Sequence, residues 1–210
     1  MAHDDTAFEP LPGLPERPPR GEVILWQGRP RTLPLAREAL WLDWVAGYFA
    51  LLTVWRVAVS ASGQPLAQAL LHGLPFLALG AAACGLILLI AWAQARATLY
   101  TVTTARVAMR IGAALTLTLN LPFPRIGAAD LALRRDGTGT VALRTAGRTK
   151  LSYLVLWPHA RPWRMKRPEP ALRCIPDAER VAGILARAAE ARVTQPELAV
   201  AARGGAVAAE

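Results

Sequence analysis

Three histidines and two cysteines are the side chains of this 210-residue chain best suited to hold a metal or to pair a nucleophile with a base. Their spacing supports neither. His3, His72 and His159 stand far apart, as do Cys84 and Cys174, and no Cys/His/carboxylate grouping has the separation of a zinc site. Cys84 lies inside a long apolar run, where a thiol would meet no polar substrate. The run "DGTGT" at 136–140 offers two glycines, but it falls between apolar stretches and opens no helical pattern. It reads as a hairpin turn rather than a phosphate loop. No catalytic constellation emerges, and the chain is not expected to be an enzyme.

Recognition chemistry is concentrated elsewhere. Residues 153–168, "YLVLWPHARPWRMKRP", gather Trp157, His159, Arg161, Trp163, Arg164, Lys166 and Arg167. Tryptophan and arginine dominate protein–protein hot spots, and they also suit the headgroup layer of a membrane. The plainer reading is a loop stiffened by Pro158 and Pro162, with both tryptophans packed as plugs. The pattern divides the two. Trp157 continues the alternation Leu151, Tyr153, Val155 of an expected strand and should face a core. Trp163 lies beyond Pro158, where a strand ladder should stop, and with Arg164 is expected on a partner-binding surface.

The elements that must position this segment begin with the membrane. The chain is 53% hydrophobic yet carries a net charge of +9, a pairing that suits a membrane protein with a basic, water-exposed part. Residues 74–93 hold no charge and are long enough to cross a hydrocarbon core of about 30 Å. Residues 41–61 form a second expected crossing. Asp43 sits at the headgroups and Arg56 snorkels outward, with Trp41, Trp44 and Trp55 near the interfaces. The flank 22–41 carries Arg29, Arg31 and Arg37, the flank 94–113 carries Arg96, Arg106 and Arg110, and the connection 62–73 carries no Lys or Arg. The positive-inside rule then places both termini in the cytoplasm and the short connection outside. Gly80/Cys84 and Ala81/Gly85 give small residues at four-residue spacing, a face for another membrane protein, a second copy of this chain or, more plainly, the first helix. Residues 1–20, Pro-rich and acidic, and 194–210, Ala-rich, read as disordered tails, with 21–40 as a cytoplasmic juxtamembrane segment.

Beyond residue 94 the period changes to two. Leu115, Leu117, Leu119 and Leu121 alternate with polar residues, and Asp136-Gly137 and Ala146-Gly147 mark turns. Near the end, Asp177 can cap a helix in which Val181, Ile184, Leu185 and Ala188 share a face. The expected fold is a membrane α-hairpin followed, over 94–193, by a small all-β barrel of about six strands capped by a C-terminal α-helix. Within 94–175, 14 Lys and Arg against three acids leave +11. Such a domain, held under the inner leaflet, should feel anionic lipid headgroups. The positive-inside bias alone would also account for the charge. Nucleic acid is not expected as a partner, because no binding motif accompanies the charge.

The stretch "YTVTTARVAMRIGAALTLTLNLPFPRIGAADL" resembles the bacterial PH-like domain family through Tyr100, Arg106, Gly112, Pro122 and Arg125-Ile126. The two ends, "LPGLPERPPRGEVILWQGRP" (11–30) and "YLVLWPHARPWRMKRPEPALRCIPDAERVAGIL" (153–185), are similar to the photosynthetic complex assembly proteins of purple bacteria, the PuhB type. That resemblance implies a non-enzymatic assembly factor in the intracytoplasmic photosynthetic membrane. Its partners would be reaction-centre and core light-harvesting subunits, and "LWQGRP" adds Trp26 and Arg29 to the contact candidates. No resident cofactor is implied. A transient bacteriochlorophyll contact would fall to His72, for which a solvated interfacial histidine is the plainer reading. The rival function is a generic membrane-anchored PH-like module that binds anionic lipid or another membrane protein.

Overall fold

The computed structural model describes residues 13–14, 16–19, 21–112, 116–147 and 151–194. Most of both expected tails, and Leu115 of the leucine alternation, lie outside them. The chain forms two compact units, residues 31–95 and the remainder.

The first unit is helical. Thr32–Ala39 (α1) precedes Leu42–Ala61 (α2) and Leu66–Ala97 (α3), and the last two are long and apolar enough to span a membrane. Glycine makes their packing possible. A Cβ on Gly80 would meet Cβ of Phe49 at 2.6 Å, and one on Gly73 would meet Val57 at 2.7 Å. At Gly85 nothing lies within 4 Å. The small-residue face therefore divides, with Gly80 used against α2 and Gly85 left open. The expected outer loop 62–73 shrinks to Ser62–Pro65, because Leu66–Leu71 joins α3. Pro65 starts that helix by accepting backbone N–H bonds from Gln68 and Ala69. Asp43, expected at headgroup level, pairs with Arg37 at 3.2 Å.

The described residues of the second unit form seven β-strands and a C-terminal helix. One sheet has the order Ile24–Gly28 (β1), Leu99–Thr103 (β2), Arg106–Ile111 (β3) and Leu117–Pro122 (β4). The other has Ile126–Leu133 (β5), Gly139–Thr145 (β6) and Ala171–Ile175 (β7), and all pairings are antiparallel. Alternation builds the core. Tyr100 and Val102 share a face of β2, and Val107, Met109 and Ile111 share a face of β3. They join Val141, Leu143 and Leu172 of the second sheet, and Val181, Leu185 and Ala188 of Ala178–Thr194 (α5). Each Val, Leu, Ile or Met among them contributes about 1.5–3 kcal/mol when withdrawn from water. Asp136-Gly137 makes the β5–β6 turn, with Gly137 at φ 75° and Thr138 N–H donating to Asp136 Oδ1 at 3.0 Å. Gly139 lets α5 close on the sheet, since a Cβ there would lie 2.6 Å from Ala178.

Two expectations need correction. The segment 21–40 is not a simple juxtamembrane stretch: Ile24–Gly28 is the edge strand β1, with Gly28 opposite Tyr100. Thus 65 residues of helical unit interrupt one β-hairpin. Ordered packing also begins ahead of it, with Leu14 buried and Gly13 against Leu99. Second, no strand covers 151–157. Tyr153–Leu156 is a single helical turn (α4), so the phase argument fails there. Leu156 takes the core position, whereas Trp157, expected inside, is 42% exposed.

Candidate functional site

The tryptophan–arginine segment forms the connection between β6 and β7. Its neck is hydrogen-bonded. Arg161 N–H donates to the Glu169 carbonyl at 2.9 Å, Ala171 N–H to that of His159 at 2.8 Å, and Leu143 N–H to that of Pro170 at 2.7 Å. Ala160 and Pro170 form an isolated bridge.

Below the neck lies a buried polar lock. His159 is fully buried, with Nε2 3.0 Å from Thr98 Oγ1 and Nδ1 2.6 Å from the Tyr100 hydroxyl. That hydroxyl also accepts the backbone N–H of Arg173 at 3.3 Å. One arrangement satisfies these groups: the Tyr100 O–H donates to Nδ1, and Nε2–H donates to Thr98. Burial, with the Arg173 guanidinium adding to it, pushes the His159 pKa down to about 3, so the imidazole stays neutral. Burial also raises the Tyr100 phenol and lowers Arg173. Arg173 Nη1 donates to the Pro158 carbonyl at 3.0 Å, across a cis Trp157–Pro158 peptide. His159 was expected as a contact residue, and its burial corrects that. It holds the segment from beneath because its ring fits between Thr98 and Tyr100.

A surface network ties the neck from the other side. Arg161 Nη1 meets Asp130 at 2.6 Å and Glu169 at 3.1 Å, and Arg144 meets the same Asp130 at 2.8 Å. Hydrogen bonds from Arg161 and then Arg144 hold the Asp130 carboxyl below its ordinary range. Arg161 is thereby committed to structure.

The remaining candidates separate by exposure. Trp163, Arg164, Lys166 and Arg167 are exposed, and Trp163 sits in the left-handed region at φ 64°. Among the described residues no ion pair involves Arg164, Lys166 or Arg167. Trp26 is half-buried in β1 against the core, its ring over Gly28, and Arg29 beyond it is exposed. The structure does not bring Trp26 and Arg29 into the 157–167 segment as partners. His72 lies in the second turn of α3, half-buried, with no hydrogen-bond partner for Nδ1 among the described residues. No group of three metal-ligating side chains occurs among the described residues. The sequence did not point to Thr98, Asp130 or Glu169 as site residues, and it marked Tyr100 only as part of the family resemblance. Only the rarity of acids between 94 and 175 marked Asp130 and Glu169 beforehand. A shallow groove of about 390 Å³ lies between Leu25, Thr104 and Ile184, with Arg187 and Arg192 also lining it.

A domain of two antiparallel sheets and a closing helix, joined to apolar helices, defines a class, and the chain belongs to the bacterial PH domain family, which matches residues 42–189. It is similar to an uncharacterized 23.7 kDa protein of Rhodobacter capsulatus, described as lying in the puhA 5′ region, with 47% identity over 98% of this chain and 97% of the relative. No solved structure matches the chain.

Proposed function

We propose that the chain is a non-enzymatic membrane assembly factor for the photosynthetic reaction centre and core light-harvesting complex of an anoxygenic phototroph. The observation that carries this reading is end-to-end similarity to a protein encoded in the 5′ region of puhA, which supports association with a photosynthesis gene cluster. The PuhB-type resemblance of residues 11–30 and 153–185 points the same way.

The connectivity supports the membrane arrangement. β1 and β2 are paired, yet the two apolar helices lie between them in sequence. A chain that leaves a sheet at Gly28 and returns opposite it at Tyr100 must cross a bilayer an even number of times. Two crossings, with the Lys/Arg bias of the flanks, give both termini on the cytoplasmic side. Pull-down of the full chain from phototrophically growing cells should recover reaction-centre and core-antenna subunits. Recovery of lipid alone would favour the rival, a generic membrane-anchored PH-like module. The exposed cations Arg164, Lys166 and Arg167 are the observation that keeps that rival in view.

A further inference from the structure

Within the β unit, the described large apolar side chains most open to water are Leu154, Trp163 and Met165, at 85%, 75% and 63% exposure. Val155 and Trp157 add to them, so five large apolar residues stand exposed within twelve positions. Arg164, Lys166 and Arg167 are interleaved or adjacent, and the single acid nearby, Glu169, is buried and ion-paired with Arg161. Exposed apolar clusters of this kind mark a surface that something covers. Aromatic and aliphatic groups mixed with cations, without acids, match the headgroup layer of an anionic bilayer.

The covalent chain limits how far from the loop that bilayer can lie. Thr98 follows directly on Ala97, the last residue of α3. Thr98 and Tyr100 grip His159 at 3.0 Å and 2.6 Å, and His159 starts the neck of the loop. The neck is thus fastened to the first residues after an apolar helix. If the uncharged run 74–93 fills the hydrocarbon, only about 6 Å of helix separates Ala93 from Ala97. Four residues of extended chain, from Ala160 to Arg164, reach at most about 14 Å.

We propose that Leu154–Arg167 is an interfacial anchor. Its exposed apolar side chains, Leu154, Val155, Trp157, Trp163 and Met165, seat at headgroup depth in the bilayer that α2 and α3 cross, and Arg164, Lys166 and Arg167 contact anionic lipid. The proposal rests on the membrane-spanning reading of those helices. It assigns the loop to lipid rather than to a protein client.

The test uses the full chain in nanodiscs of phosphatidylglycerol brominated near the ester carbonyl. A fluorophore is placed on Trp163→Cys in a Cys84→Ala background, and separately on Met165→Cys in case the left-handed position tolerates cysteine poorly. Cys174 is buried and stays in place. A third sample carries the fluorophore on native Cys84, within α3, with acyl-chain bromines. The anchor predicts quenching at 163 or 165 by the shallow bromines. That quenching should fall to background when Arg164, Lys166 and Arg167 are replaced together by Ala, or when neutral phosphatidylcholine brominated at the same position replaces the anionic lipid. Quenching at Cys84 with the loop probe still open to aqueous iodide would overturn the anchor and leave the crossing intact. Absence of quenching at Cys84 would remove the crossing and the anchor with it. Shielding of the loop probe only in native membranes, never in nanodiscs, would assign the surface to a protein partner and refute the proposal.

Discussion

Acid should loosen this domain through one residue. His159 is fully buried with a pKa near 3, whereas in the unfolded chain it titrates near 6.5. Between those values the unfolded chain binds the proton and the folded one does not. The stabilisation from a neutral His159 is therefore complete above about pH 6.5 and is lost as pH falls towards 3. Linkage over that gap gives about 2 kcal/mol lost at pH 5 and about 5 kcal/mol at the limit. The structural reason is specific. A protonated ring would carry hydrogens on both nitrogens, and the Tyr100 hydroxyl, already accepting from Arg173, would lose its acceptor at Nδ1. The assay is urea unfolding of the full chain in detergent micelles at pH 7 and pH 5, read by protease sensitivity of the 157–170 connection. The comparison is His159→Phe, which leaves the buried Tyr100 O–H without its acceptor and the Thr98 hydroxyl without its imidazole partner, and lowers stability by about 1–3 kcal/mol at neutral pH. It should also abolish most of the pH dependence. Parallel loss of stability in both proteins between pH 7 and pH 5 would show that His159 titrates normally, and the buried lock would be refuted.

Three further outcomes follow from packing. Leu156→Ala should cost about 2–5 kcal/mol and lower the abundance of the chain on immunoblots, whereas Trp157→Ala, at a 42%-exposed position, should leave it near wild type. Gly80→Leu should destabilise the helical pair by about 1–3 kcal/mol because Phe49 occupies the space, while Gly85→Leu should be tolerated; thermal stability in detergent separates them. Removal of residues 21–30 deletes β1 and uncovers the edge of β2, so this chain should aggregate or be degraded even though both apolar helices are retained.

What could be read beforehand was local. Leu117–Pro122, the Asp136-Gly137 turn and the Val181/Leu185/Ala188 face each signal within a few residues, and each lies where its pattern put it. The two apolar helices were legible by length, although α3 absorbed most of the expected outer loop. β1 was not legible, because ILWQG is five residues long and its partner lies more than seventy residues away, beyond both helices. The alternation Leu151, Tyr153, Val155 was too short to tell a strand from one turn of helix, and Leu156, out of phase, proved to be the core residue. His159 looked like part of an exposed basic cluster, since its partners Thr98 and Tyr100 are 61 and 59 residues away. Only tertiary pairing distinguishes that buried ring from its exposed neighbours.

Near-infrared absorbance of membranes from a strain lacking this chain tests its role in building the photosynthetic complex. Reaction-centre and core-antenna absorbance should fall together relative to the parent strain and return when the full chain is supplied in trans. Unchanged absorbance in the deletion strain under phototrophic growth would contradict that role.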